Sequence, residues 1–210
     1  MLTLTYLIAI TAEAMTGALA AGRRNMDLFG VSLVAFLTAL GGGTIRDILL
    51  GNFPVTWTQH PQYIYLTIGA GLCTIFIAKV VHKLQQLFLV LDAIGLVTFT
   101  VIGCNVGQTL GYEPAVVVIA GIITGIFGGI LRDLLCNRPP EILHKELYAS
   151  VALLVALMYL QMQHMGINED TTLLASFSVG LLLRMCALKW SWQLPTFTYM
   201  PERWQNDNNA

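Results

Sequence analysis

Two stretches of this chain place charge where charge is costly. Gly41-Gly42-Gly43-Thr44-Ile45-Arg46-Asp47 and Gly128-Gly129-Ile130-Leu131-Arg132-Asp133 each set an arginine–aspartate pair behind a glycine run, inside a long apolar segment. A charge at the centre of a membrane-spanning helix costs about 2.5–3.5 kcal/mol on insertion scales, so such a residue faces a cavity or a partner. Adjacent helix residues point about 100° apart, so each arginine is expected to pair with something other than its own aspartate. Snorkelling is the alternative, because both pairs fall in the last turns of their segments, where an arginine head can reach the interface. Asp47 and Asp133 also suit capping or loop-fixing roles. An arginine that faces water would be dispensable for folding.

The glycines ahead of these pairs are Gly41, Gly42 and Gly43 in one segment and Gly125, Gly128 and Gly129 in the other. Glycine weakens a helix by about 1 kcal/mol relative to alanine, so a run of three favours a kink or break. A break frees backbone groups that hydrocarbon cannot satisfy, and these must face protein or water. The functional reading is a paired hinge that lines an aqueous path; the plain one is close packing by small residues. Matched occurrence beside Arg-Asp favours the path. Glu13, midway along the first apolar segment, is a plausible counter-ion for an intramembrane arginine. Asp92 reads as a charge at a helix start, and His60, His82, His144 and His164 fall at segment ends or loops.

Enzyme signatures are missing: there is no Walker loop, no HExxH and no GxSxG. Cys73, Cys104, Cys136 and Cys186 are scattered without metal spacing and read as small hydrophobes. Neither cofactor nor metal is expected. A net charge of −1 gives no reason to expect nucleic acid.

The elements that must hold these residues are membrane helices. The 210 residues are 56% hydrophobic and 11% charged, with a mean hydropathy of +0.68; soluble domains carry about 25% charge. Seven apolar segments read as spans, over roughly 3–21, 28–50, 61–81, 88–107, 114–136, 146–165 and 171–189. If the spans alternate in direction, Arg23, Arg24, Lys79, Lys83, Arg138, Lys145, Arg184, Lys189 and Arg203 share one side. Basic residues are retained in the cytoplasm, which puts the N-terminus outside and the C-terminus inside.

One gapless register aligns the halves, pairing Gly17 with Gly103, Ala35 with Gly121, Arg46 with Arg132, Pro54 with Pro140 and Glu13 with Phe99. Each copy holds three spans, an odd number, so the second enters the membrane from the opposite side. Such inverted repeats are common in transport proteins. The predicted organisation is all-α: a first three-helix repeat over 1–85, an inverted second over 86–167, a seventh helix over 168–190 and a polar tail over 191–210.

The doubled motif, GGGTIRDILLG and GGILRDLLCNRPP, resembles the prokaryotic members of the trimeric intracellular cation (TRIC) channel family. The resemblance covers nearly the whole chain except the polar tail. It implies a homotrimer in the cell membrane, each protomer with its own pore between kinked second and fifth spans, passing potassium and sodium. Glycines 41–43 and 128–129, with Arg46, Asp47, Arg132 and Asp133, match the family motif. Phe127 stands where the first copy has Gly41, a departure from a symmetric hinge. The same domain has been described as a glycine transporter, which leaves three readings: a cation channel, a carrier for a small amino acid, or a non-transporting, lipid-binding scaffold. Buried arginines have no reason in the third.

Overall fold

The computed structural model describes residues 2–80, 84–140, 142 and 147–195. His82, Lys83, His144, Lys145, Arg203 and all of the polar tail beyond 195 lie outside the described residues. The described chain is helical: α1 Leu2–Gly22, α2 Leu28–Leu50, α3 Thr56–Gln59, α4 Gln62–Val80, α5 Leu84–Thr109, α6 Pro114–Leu135, α7 Tyr148–His164 and α8 Glu169–Trp190. Among the described residues, six of these (all but α3 and α7) are long and apolar enough to cross a membrane. Helix α7, at 17 residues, sits at the lower end of what a span needs. The four-residue α3 is an addition to the sequence reading.

Local chemistry explains where the helices start and stop. Asp27 accepts from the Gly30 amide at 2.7 Å and caps α2. Gly51 closes α2 in the left-handed conformation, with φ 65°, which costs glycine nothing. Pro114 opens α6 at the first helical position. Glu169 and Asp170 begin α8 and Lys189 ends it, matching the helix dipole.

Helices α1, α2, α5 and α6 form the centre; α4 packs on α1 and α2, α7 on α5 and α6, and α8 on α5 and α7. The packing repeats in the sequence register. A Cβ at Gly17 would meet Thr38 Oγ1, the Ala35 backbone and the Val34 carbonyl; one at Gly103 would meet Thr124 Oγ1, the Gly121 backbone and the Ala120 carbonyl. Thr38 donates to Val34 O and Thr124 to Ala120 O, both at 2.6 Å. That leaves no bare hydroxyl in the apolar interior.

The glycine runs do not break their helices, so of the kink or break expected there the break is absent. Hydrogen-bonded α-helix continues through Gly41–Gly43 in α2 and through Gly125–Gly129 in α6. Close approach is the reason for the glycines. A Cβ at Gly42 would strike the Thr124 carbonyl, and one at Gly128 the Thr38 carbonyl, so α2 and α6 cross backbone to backbone. Gly125 presses on α5 at Leu96 and Thr100, and Gly41 makes room for Leu131. Packing by small residues decides these positions.

Contacts between helix ends sort the loops into two groups. Arg24 Nη2 donates to Asn137 O at 2.7 Å, and the Leu147 amide to Trp192 O at 3.2 Å. At the other end, Tyr112 Oη donates to Leu50 O at 2.7 Å and Asn105 Nδ2 to Glu169 Oε1 at 2.8 Å.

Candidate functional site

The two arginine–aspartate pairs form separate buried poles. At the α2 pole, Arg46 is 3% exposed and Asp47 0%, so snorkelling is excluded. Arg46 curls back on its neighbour: Nη2 and Nε lie 2.6 and 3.0 Å from Asp47 Oδ1. The expectation of a partner other than its own aspartate fails here, because the long side chain spans the angular gap between adjacent positions. Asp47 also accepts from Asn52 Nδ2 at 2.9 Å, the Thr56 amide at 3.0 Å and Thr56 Oγ1 at 2.8 Å. It therefore fixes the loop after α2 and the start of α3. Trp57 completes the closure, donating to Thr44 Oγ1 at 3.0 Å and packing edge-on against Phe36.

The α6 pole holds more charge. Arg132, 1% exposed, donates from Nε to Asp133 Oδ1 at 3.0 Å and from Nη1 to Asp92 Oδ1 at 2.6 Å. Its own aspartate is again a partner, and Asp92 is the second. Asp92 is thus no exposed charge at a helix start; it lies two turns inside α5 and is 1% exposed. The Arg132 guanidinium lies 4.7 Å from the centroid of Phe88, which Arg23 also approaches at 5.0 Å. Gly129 leaves space for the arginine: a Cβ there would lie 3.6 Å from Arg132 Nη2. Gly43 stands in the same relation to Arg46, at 3.7 Å.

Glu13 is buried too, at 2% exposure, and its Oε2 accepts from Thr16 Oγ1 at 3.0 Å. Its carboxyl group rests on Gly95, where any side chain would collide with it. Gly95 lies one turn beyond Asp92 on α5, so Glu13 flanks the Arg132 cluster, while Asp92 is the direct counter-ion. Two members escaped the sequence reading. Tyr148 donates to Asp92 Oδ1 at 3.3 Å, and Arg184, grouped by sequence with the cytoplasmic charges, is 1% exposed and lies 4.7 Å over the Tyr148 ring. Arg184 sits six residues before the end of α8, a depth that could have flagged it. Nothing in the sequence marks Tyr148.

Comparison with known proteins fits this geometry. A family model described as glycine transporter matches twice, at residues 3–79 and 89–164. A TRIC cation channel orthologue from Rhodobacter sphaeroides superposes with a TM-score of 0.87 at 36% identity, over 90% of this chain and 97% of its own. This chain belongs to the TRIC family. A second solved TRIC structure, from work on conductance through TRIC cation channels, also gives 0.87, at 35% identity over 95% and 98% of the two chains. Among curated relatives, an Escherichia coli K12 inner membrane protein, UPF0126 protein YadS, is 36% identical over 88% of this chain and 90% of its own. A Vibrio cholerae UPF0126 membrane protein is 38% identical over 88% and 77%. The chain is a helical membrane protein of this family.

Proposed function

We propose that this protein is a cation channel of the cell membrane, homotrimeric, with one path per protomer between α2 and α6, and that the present arrangement is its closed state. The likeness to TRIC cation channels along nearly the whole chain carries the reading. Two features of the poles support it. The arginines would repel a permeating cation if bare, but Arg46 is neutralised by Asp47, and Arg132 lies between Asp92 and Asp133 with Glu13 close by. Both are also buried, as a closed path requires.

Seven spans in two inverted repeats plus α8 remain our reading of the topology. The family model's double match and the recurring Gly17 and Gly103 contacts support it. The grouping of helix ends supports alternation, since loops on one predicted side meet one another. A reporter active only in the cytoplasm, fused to the C-terminus, is expected to be active. Activity of a periplasmic reporter there would refute the count. In this topology Arg46 lies near the external face and Arg132 near the cytoplasmic one.

A carrier for glycine is the second reading, favoured by the family model's description. It needs an arginine available to a substrate carboxylate, and both arginines already hold aspartates. Purified protein in planar bilayers, under a potassium gradient, decides between them. Unitary currents that reverse at the cation potential are expected; saturable glycine uptake without such currents would replace the channel reading.

A further inference from the structure

Two cavities between the helices occupy matching places in the two repeats. One, of about 470 Å³, is walled by the end of α5, the start of α6 and the end of α7; Val117, Leu160, Gln161 and His164 are among its lining residues. The other, of about 280 Å³, lies between α1, α2, α4 and α5, and is lined in part by Val31, Thr74, Ile75 and Ala78. Those four are the counterparts of the first four in the register of the halves. Inversion of the repeat sets the two cavities at opposite faces of the membrane. In the proposed topology the larger is external and the smaller cytoplasmic.

The larger cavity grades from apolar to polar. Leu157 lines it seven residues before His164, the last residue of α7, so the helix rise puts it about 10 Å deeper. It is 48% exposed, and at that depth the cavity opens sideways to hydrocarbon. Gln108, Gln161 and His164 are exposed at the helix ends. Gln163 also lines the cavity, and its Nε2 is buried without a hydrogen-bond partner. A buried donor without an acceptor is costly, and a ligand oxygen in the cavity would complete it.

Charge at this end of the bundle has one sign. The loops 51–61, 110–113 and 165–168 contain no lysine or arginine. Glu113 adjoins the lining residue Pro114, is exposed, and bonds none of the amides at the start of α6. Its counterpart, Asp27, is engaged in capping α2. The smaller cavity instead has Arg23 in its lining.

We propose that the larger cavity is a binding site for one membrane phospholipid whose zwitterionic headgroup carries a cationic amine, with that amine at Glu113. An acyl chain lies along Val117, Leu157 and Leu160, and an ester or phosphate oxygen accepts from Gln163 Nε2. The volume falls in the range of small-molecule pockets, and a side opening at hydrocarbon depth admits a chain. A headgroup with net negative charge would meet Glu113 with no basic side chain to offset the repulsion. None of the lining residues belongs to either arginine pole, so the site stands apart from the channel reading.

The full-length chain, delipidated in detergent, is titrated with phosphatidylethanolamine or with phosphatidylglycerol of the same acyl chains, and bound lipid is counted by native mass spectrometry. One saturable phosphatidylethanolamine per protomer is expected, bound about fivefold tighter than phosphatidylglycerol. Glu113→Gln is expected to abolish the preference and Glu113→Lys to reverse it; both alter an exposed side chain, so the fold is retained. Gln163→Leu should weaken both lipids alike. Leu157→Trp fills the cavity and should abolish saturable binding. Equal affinity of the two lipids for the unsubstituted chain, a preference that survives Glu113→Lys, or saturable binding that survives Leu157→Trp would each overturn the proposal. Loss of oligomer mass in Leu157→Trp with lipid still bound would assign the cavity to a contact between copies of the chain, and would overturn it as well. Should Leu157→Trp fail to fold, the two Glu113 variants decide.

Discussion

Replacing Gly128 by alanine puts a methyl group against the backbone carbonyl of Thr38, and no side chain can rotate out of the way. Relief requires α2 and α6 to separate, and overpacking of this kind costs about 1–3 kcal/mol. Alanine returns about 1 kcal/mol through helix propensity, which leaves a net loss of up to about 2 kcal/mol. Gly43 is the internal control. A methyl group there meets only Arg46 Nη2, at 3.7 Å, an ordinary contact. Gly43→Ala should therefore be neutral or gain up to about 1 kcal/mol. At this chain length 1 kcal/mol moves Tm by roughly 2–4 °C. Melting of the detergent-purified protein should show Gly128→Ala down by up to roughly 8 °C, and Gly43→Ala level or up by roughly 2–4 °C. Equal losses for both would mean that the glycines serve backbone flexibility, and the packing account of the α2–α6 crossing would be wrong.

Arg132→Gln leaves Asp92 and Asp133 without their cation and should cost about 3–5 kcal/mol. Arg46→Gln should cost less, because Asp47 keeps Asn52 and both donors of Thr56; equal losses in thermal melts would refute that difference. Gly95→Ala drives a methyl group into the Glu13 carboxyl group and should lower Tm. Adding Glu13→Ala to the same chain should recover most of the loss, and failure to do so would place the strain elsewhere.

The spans were legible because hydrocarbon imposes length and composition, and α2, α4 and α6 begin and end within a residue of the segments read from hydropathy. Helix α5 starts earlier than expected, at Leu84, because Gln85 and Gln86 lower the hydropathy of a turn that is nonetheless helical. The register read from the paired motif matches the packing that recurs at Gly17 and Gly103. Which faces meet was not legible: helices apolar all round carry no amphipathic stripe to orient them. Asp92 therefore looked like an ordinary helix-start charge, though it turns inward to Arg132. Arg184 was counted with the loop charges because a stretch of apolar sequence does not show how deep its helix end lies. Helix α3 is not visible in the sequence because Asp47, which accepts from the amide of its first residue, is nine positions upstream and meets Thr56 only once the chain has folded back.

The crossing of α2 and α6 is reciprocal: Gly42 meets the Thr124 carbonyl as Gly128 meets that of Thr38. Two copies of a half-length chain, inserted in opposite orientations, could make the same contact with each other. Such a dual-topology ancestor would have had chemically identical ends. Fusing the halves lifts that constraint, because each mirrored position can then change alone. In this chain the counterparts along α1 and α5 do differ. Glu13 and Asp92 carry carboxylates toward one face, while their counterparts Phe99 and Tyr6 meet as rings 6.2 Å apart toward the other. In the proposed channel, ions entering from the two ends would meet different chemistry.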